Sequence, residues 1–334
     1  MGTMSTVSRY LEPALVETLN QLQMTARRVV EGTTTGRHAS ALKGSSVEFR
    51  QHRFYVPGDS PRRLDWRVLA RTDRPYVKEY DEETNLKCVL MLDGSGSMGY
   101  GGESGTKFDY AAKLTAALAY LMLANTETVG LSLFSSKKDR WVAPRTGHGQ
   151  LFRLIDALER AAPRGESSAG PAMQESADRM GRRSLVVLVS DLLTPVASLR
   201  AGLARLGHDR HEVIVIRVLD ADEITFPFRR WTVFRGLENE RSRECDPVLA
   251  RQTYLDNFQA HANELDAMIR GSGAEYVTLT TDKPLIESLT SFLRRREIRG
   301  STTLTTGGST MLTTGGSTTL PSAALRAGST GGST

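Results

Sequence analysis

Two short apolar runs constrain the fold of this chain more than any other feature. Val89–Leu92 and Leu185–Ser190 lack the polar–apolar alternation of a strand with one face in water, and each run stops at an aspartate, Asp93 or Asp191. Runs of this kind are typical of strands that are buried on both faces of a parallel sheet. The rest of the chain therefore has to supply helices that cover both faces.

Helical and strand patterns alternate along the rest of the chain. Helices are predicted over Lys107–Ala124, Leu151–Ala161, Ala172–Met180, Val196–Leu206, Val248–Arg270 and Lys283–Arg294. Further strands are predicted over Val129–Phe134, Glu212–Leu219 and Tyr276–Leu279, and a short strand or a turn over Trp141–Pro144. Tyr76–Tyr80 alternates charged and apolar residues, which predicts an edge strand beside Leu86–Leu92. The alternation as a whole predicts an α/β fold with a doubly wound, mostly parallel sheet and helices on both faces.

The composition of the chain makes several classes of function improbable. The chain has 334 residues, of which 39% are hydrophobic and 24% charged, as in a globular protein of one large domain or two smaller ones. The formal net charge is only +5 and the basic residues are spread along the chain, so we expect no nucleic-acid partner. Cys88 in a buried strand and Cys245 in a polar segment do not predict a disulfide framework or a Cys-rich zinc site.

The sequence predicts a cytoplasmic protein without a transmembrane segment. Met1–Tyr10 lacks the basic and then apolar residues of a signal peptide. Apolar runs fall short of the roughly 18 residues that a membrane-spanning helix needs. The low cysteine content is consistent with a reducing compartment.

The two ends of the chain differ from its middle. Pro13–Glu31 is predicted to be an amphipathic helix that docks on the main domain, and Gly36–Arg74 an irregular segment rich in charge. From Gly300 onward Thr, Gly and Ser recur with a period of eight, a composition that predicts a disordered tail. The predicted organisation is therefore an N-terminal helix and charged segment at 1–85, a main domain at 86–296 and a tail at 297–334.

The residues after the first apolar run are the candidate functional residues. Asp93, Ser95 and Ser97 are separated by glycines, which allow a sharp turn that brings side-chain oxygens together. One carboxylate and two hydroxyls are hard oxygen ligands of the kind that Mg²⁺ prefers. Asp191 joins them if the two apolar strands are neighbours, because ligands bind at the carboxyl ends of such strands. An Asx turn with a helix cap in a glycine-rich loop would use the same residue types without a metal.

An ordered series of charged and aromatic residues lies upstream. It comprises Glu48-Phe49, Arg53-x-Tyr55-x-Pro57-Gly58-Asp59, Arg62-x-x-Asp65-Trp66 and Ala70-Arg71. This series resembles the hallmark of the domain of unknown function 58 family, whose members are von Willebrand A-like proteins that are often encoded beside MoxR-type AAA+ ATPases. Each of these charged residues, taken alone, could instead form an ion pair that holds a loop in place. The resemblance covers about Gly36–Phe292 and implies a von Willebrand A/Rossmann-like fold.

The Asp-x-Ser-x-Ser pattern itself resembles the metal-ion-dependent adhesion site (MIDAS) of von Willebrand factor A domains. The resemblance implies that Ser95 and Ser97 bind Mg²⁺ (or Mn²⁺) directly, while Asp93 and Asp191 hold metal-bound waters. The family pattern expects a threonine as a third hydroxyl ligand, and this chain has Ser167 at that place. Ser168 is the alternative at the same position of the loop.

These resemblances imply a non-enzymatic, metal-dependent protein-binding module. Its partner would supply an Asp or Glu to the metal, and a MoxR-type AAA+ ATPase is the implied partner, in client remodelling or complex maturation. One alternative is a Mg-dependent hydrolase or phosphatase in which the metal activates water. A second alternative is a von Willebrand A-like scaffold that binds no metal.

Overall fold

A six-stranded sheet with helices on both faces forms the centre of the protein. The computed structural model describes residues 9–22, 47–56, 64–82, 86–102, 105–136, 139–181, 183–238 and 242–306. Its strands of three or more residues are β1 (Val47–Phe54), β2 (Tyr76–Glu82), β3 (Lys87–Asp93), β4 (Thr128–Phe134), β5 (Arg140–Arg145), β6 (Leu185–Ser190), β7 (Glu212–Leu219), β8 (Thr232–Phe234), β9 (Arg243–Cys245) and β10 (Glu275–Thr280).

The central sheet has the order β10-β7-β6-β3-β4-β5. All neighbours in it pair in parallel except β4 and β5, which are antiparallel. The chain runs from β3 to β4 on one side and later returns to β6 on the other side of β3. The winding direction therefore reverses between β3 and β6, and the prediction of a doubly wound, mostly parallel sheet is confirmed.

Helices cover both faces of this sheet. The helices in the described part of the chain are α1 (13–22), α2 (Trp66–Thr72), α3 (Lys107–Ala124), α4 (His148–Glu159), α5 (Ala169–Met180), α6 (Val196–His208), α7 (Ala221–Thr225), α8 (Pro247–Gly271) and α9 (Leu285–Thr306). Within the ranges given above, no helix combines the length and the apolar character that crossing a bilayer requires.

The side chains of β3 explain why this strand is apolar throughout. Cys88, Leu90 and Leu92 belong to the core on the face that α3, α4 and α9 cover. Val89 and Met91 belong to the core on the opposite face, beneath α5, α6 and α8. All five side chains are fully buried, so each position of the strand favours an apolar residue.

The strand predicted at Tyr76–Tyr80 forms, but in a different place. It is part of β2, which pairs antiparallel with β1 in a separate two-stranded sheet, so its predicted position beside Leu86–Leu92 is wrong. β3 has β4 on one side and β6 on the other and offers no free edge. Instead, the Tyr76 ring packs on that of Phe54, with the centroids 4.6 Å apart. β1 and α2 also show that Gly36–Arg74 is not irregular throughout.

Part of the upstream motif has a structural role. Asp65 precedes α2, and its Oδ1 accepts hydrogen bonds from the amides of Arg67 and Val68, which is the geometry of a helix N-cap. Trp66 does not anchor the core, because 63% of its surface is exposed. Asp59 and Arg62 of the same motif lie outside the described residues.

Both ends of the chain add helices to the main domain. Leu19 of α1 is fully buried in the same core cluster as β3, and the Tyr120 hydroxyl of α3 donates to Asn20 at 2.7 Å. At the other end, α9 continues to Thr306, ten residues beyond the predicted domain boundary at 296. Extending an existing helix adds a backbone hydrogen bond for each residue and needs no new nucleus. The rest of the predicted tail, from 307 onward, lies outside the described residues.

The connection between β7 and α8 has structure of its own. It contains α7 and a two-stranded hairpin of β8 and β9, paired from Thr232↔Cys245 to Phe234↔Arg243. Phe226 stacks on Tyr254 of α8 at 4.5 Å, and Phe234 of the hairpin lies 5.6 Å from Phe226. These ring contacts attach the hairpin to α8.

Candidate functional site

The candidate site lies where the winding direction of the sheet reverses. In the β3–β6 pairing Leu92 is opposite Val189, so the two strands end side by side. Asp93 ends β3, Asp191 follows β6, and both side chains are fully buried. The topology thus brings together the two aspartates that are 98 residues apart in the chain.

Asp93 is the centre of a hydroxyl network. Its Oδ1 accepts a hydrogen bond from the Ser95 amide at 2.9 Å. Its Oδ2 accepts two more, from the hydroxyls of Ser167 and Ser190, each at 2.7 Å. The Ser190 hydroxyl in turn accepts from the Leu192 amide at 2.9 Å, which orients it toward Asp93. Three separate segments therefore converge on one carboxylate.

The environment of Asp93 makes its carboxyl group easier to protonate than that of an ordinary aspartate. Burial, followed by the nearby Asp191 carboxylate, raises the pKa of Asp93 to about 6, and the hydrogen bonds from Ser190, Ser167 and Ser95 only partly oppose this. Within the described part of the chain, no lysine, arginine or histidine forms an ion pair with Asp93. A cation at this place would stabilise the ionised carboxylate.

The two serines of the motif face each other. Ser95 Oγ and Ser97 Oγ are 3.1 Å apart, on a loop that leads into a single 3-10 turn, Gly96–Gly99. Adjacent ligands of octahedral Mg²⁺, each about 2.1 Å from the ion, are roughly 3.0 Å apart. The separation of the two hydroxyls therefore suits two neighbouring ligands of one Mg²⁺ ion, as well as the hydrogen bond that they form with each other.

Asp191 is paired with a buried lysine. Lys107, the first residue of α3, is fully buried and places Nζ 2.8 Å from Asp191 Oδ2 and 2.6 Å from Glu223 Oε1. Burial alone lowers the pKa of Lys107, but the two carboxylates outweigh this effect and leave it raised. The other carboxylate oxygen of Asp191 accepts from the Leu193 amide at 3.1 Å, which fixes the orientation of the carboxylate.

Glu223 and its neighbours hold this ion pair in place. Burial raises the pKa of Glu223, while the Lys107 ammonium opposes the shift. Glu223 also closes a capping box at the start of α7, where its Oε2 accepts from the Asp220 amide at 2.9 Å. Arg217 of β7 donates from Nε to the backbone carbonyl of Asp191 at 3.1 Å. Asp191 is therefore held through both its side chain and its backbone.

The loop that carries Ser167 is joined to the loop after β3 by backbone hydrogen bonds. The Gly96 amide donates to Gly165 O at 2.7 Å, and the Arg164 amide donates to Gly94 O at 2.8 Å. Ser167 is the residue whose hydroxyl reaches Asp93. Ser168 precedes α5 without a side-chain capping bond, and its carbonyl accepts from the Ala172 amide.

The structure brings all five predicted residues to one place: Asp93, Ser95, Ser97, Ser167 and Asp191. It also adds residues that the sequence did not reveal: Ser190, Lys107, Glu223 and Glu238. Ser190 had a visible signal, because it is the single polar residue of an otherwise apolar strand. The others come from distant segments and carry no local pattern.

The donor set of the site is unusual for a transition metal. Over the ranges that the structure describes, no group of three or more His, Cys, Asp or Glu side chains is arranged to hold a metal ion. The candidate ligands are instead two carboxylates and serine hydroxyls, which suit Mg²⁺ or Mn²⁺ better than zinc or copper. The residues therefore fit the cation that the MIDAS pattern predicts.

Comparison with known proteins identifies the family. Residues 51–264 match the family described as Protein of unknown function DUF58. The chain belongs to this family. This DUF58 chain is similar to the uncharacterized protein Rv1480 of Mycobacterium tuberculosis, 29% identical over 290 residues, which are 85% of this chain and 90% of that one. The uncharacterized protein YeaD of Bacillus subtilis is 24% identical over 54% of this chain and 44% of its own length.

The solved structures that this DUF58 protein resembles include two with TM-scores of about 0.4. The conserved hypothetical protein BatB of Bacteroides thetaiotaomicron has a TM-score of 0.40 at 14% identity, over 66% of this chain and 99% of its own. The SpRpn10 VWA domain has a TM-score of 0.39 at 11% identity, over 63% of this chain and 95% of its own.

Proposed function

We propose that this protein is a non-enzymatic, Mg²⁺-dependent protein-binding module. The supporting observation is the state of Asp93: a fully buried carboxylate with three hydrogen bonds, a raised pKa and no ion pair among the described residues. A divalent cation at the Ser95–Ser97 hydroxyls would place positive charge beside it. Mn²⁺ takes the same oxygen ligands.

Each site residue would have a specific task in holding the ion. Ser95 and Ser97 would bind it directly, and Ser167 would do so when a ligand is bound, releasing its hydrogen bond to Asp93. Asp93 and Asp191 would orient metal-bound waters. Because Lys107 already neutralises part of the charge on Asp191, the bound cation would keep an affinity for one more carboxylate.

That additional carboxylate would be an Asp or Glu of a partner protein. The resemblance of the motif at 48–71 to MoxR-associated proteins supports a MoxR-type AAA+ ATPase as the partner, with client remodelling or complex maturation in the cytoplasm as the outcome. This choice rests on the family resemblance, whereas the binding chemistry rests on the site.

Calorimetric titration of Mg²⁺ tests the metal site. We expect one ion to bind the wild type, and both Asp93→Asn and Ser95→Ala to weaken binding at least tenfold, in line with the effect of removing groups that hold a metal. Asp266→Asn is the matched control, because Asp266 is half-buried on α8 and pairs only with Arg270 among the described residues. Absence of binding to the wild type, or equal binding to Asp93→Asn, would contradict the proposal.

Co-purification with the cognate ATPase tests the partner. We expect purified MoxR-type ATPase to be retained in Mg²⁺, lost in chelator and lost with Asp93→Asn. Hydrolysis of a phosphate ester by the wild type but not by Asp93→Asn would instead favour the hydrolase. His261, whose Nε2 lies 3.2 Å from the Leu192 carbonyl, is the histidine to test for the role of general base in that case.

A further inference from the structure

Leu237 and Glu238, which follow β8, lie close to the loop that carries Ser95 and Ser97. The Ser97 amide donates to Glu238 Oε1 at 3.3 Å. A Cβ on Gly96 would lie 2.1 Å from the Leu237 carbonyl oxygen and 3.3 Å from Glu238 Cγ. No side chain fits at residue 96 unless these two residues move, so the glycine permits the approach of Glu238 to the two serines.

The position of Glu238 is fixed by the hairpin that carries it. Phe234, the last residue of β8, packs edge-on against Phe228 at 5.3 Å and stacks on Phe226 at 5.6 Å. Tyr254 stacks on Phe226, and its hydroxyl donates to the Glu223 carbonyl at 2.9 Å. The loop end of β8 is thus anchored beside the same Glu223 that pairs with Lys107.

The charged groups around the site show why the approach of Glu238 bears on cation binding. Asp93, Asp191 and Glu223 are three carboxylates, and Lys107 is the ammonium that pairs with two of them. A fourth carboxylate, Glu238, adds negative charge at the mouth of the same site. A cation held by the two serines would attract this carboxylate.

We infer that Glu238 is an intramolecular ligand of the cation held by Ser95 and Ser97. The inference rests on the proposed metal site and extends it, because Glu238 would then occupy the position that a partner's carboxylate needs. A partner would have to displace Glu238 and shift the 237–238 connection away from Gly96. The resting protein would hold its metal in a closed site.

Manganese binding tests this inference without a partner. Mn²⁺ titrations followed by water-proton relaxation report both the affinity and the number of exchangeable waters on the ion. We expect Glu238→Gln to bind Mn²⁺ about tenfold more weakly, as for loss of a metal-holding group, and to carry one more exchangeable water. Added acetate should remove that extra water from Glu238→Gln and leave the wild type unchanged. Glu244→Gln, on the exposed side of the same hairpin, is the control and should match the wild type.

The outcomes separate this inference from the proposed function. Equal affinity and equal water count in wild type and Glu238→Gln, with binding still lost in Asp93→Asn, would overturn the role of Glu238 and leave the metal site intact. Failure of the wild type to bind Mn²⁺ would overturn both. A weaker, more hydrated and acetate-responsive Glu238→Gln would support the assignment.

Discussion

Lys107 Nζ lies 2.8 Å from Asp191 Oδ2, and both side chains are completely buried. The ammonium also lies 2.6 Å from Glu223 Oε1, so one lysine joins the end of β6 to the start of α7. Buried ion pairs of this kind contribute little net stability as a pair but become costly when one partner is removed. This contact is therefore the most sensitive point of the site to mutation.

Replacing Lys107 by methionine should destabilise the protein strongly. The change leaves Asp191 and Glu223 buried without their cation, and the free energy of unfolding should fall by about 3–5 kcal/mol. Lys113→Met is the matched control on the same helix, because Lys113 is 41% exposed and its contact with Glu12 is long, at 3.8 Å. Its effect should stay below about 1 kcal/mol. Urea unfolding of the three proteins measures the difference.

A second substitution separates charge from packing in that result. Glu223→Gln combined with Lys107→Met removes one of the two buried carboxylates that lose their cation in Lys107→Met. The double variant should recover part of the lost stability if unpaired charge is the cause. No recovery would show that lost packing of the lysine stem explains the loss instead.

Alanine in place of Gly96 should destabilise the protein, whereas alanine in place of Gly149 should not. A Cβ at Gly96 meets the Leu237 carbonyl at 2.1 Å, and the strain should lower stability by about 1–3 kcal/mol. Gly149, in the first turn of α4, has nothing within 4 Å of such a Cβ. Gly149→Ala should be neutral or stabilise by up to about 1 kcal/mol. Thermal unfolding compares the two, and equal effects would contradict the predicted clash.

Magnesium should stabilise the folded protein in proportion to its binding. A ligand at 100 times its Kd adds about 2.7 kcal/mol to the free energy of unfolding when only the native state binds it. We expect Mg²⁺ to raise the melting temperature, chelator to reverse the rise, and Asp93→Asn to abolish it. Asp266→Asn should behave as the wild type does. A rise of equal size in Asp93→Asn would place the stabilising ion elsewhere.

The ionisation of Glu127 should make the free energy of unfolding depend on pH. Burial raises the pKa of Glu127 from 4.5 to about 7, against a hydrogen bond from the Leu86 amide. Because the folded state holds this proton more tightly than the unfolded state, its contribution to stability is present below about pH 4.5 and is lost as pH rises toward 7.

The variant Glu127→Gln isolates this contribution. Relative to the wild type, it should gain about 1–3 kcal/mol between pH 4.5 and 7.5, and the difference should stay constant above that. Glu244→Gln, at an exposed residue, should show no such trend. Urea unfolding at several pH values gives the difference directly, and a gain that grows toward low pH would contradict the assignment.

The main elements of the fold were predictable because burial on both faces of the sheet requires a run of consecutive apolar residues, which is visible in the sequence. Leu185–Ser190 and Lys107–Ala124 were predicted with the bounds that the structure shows. The placement of Tyr76–Tyr80 was not predictable in the same way. Its alternation indicates a strand, but which neighbour it pairs with depends on which edges of the sheet are free, and both edges of β3 are taken.

The sequence by itself determined the candidate oxygen ligands and their loop: Asp93, Ser95 and Ser97 form one short motif whose glycines fix its turn. Only the tertiary structure decided that Ser167 rather than Ser168 reaches Asp93, and that Lys107 and Glu238 share the site. The physical reason is the distance along the chain over which each interaction acts. Turn geometry depends on a few consecutive residues and can be read from them, whereas ion pairs and hydrogen bonds between strand ends join residues that come close only after the sheet has assembled.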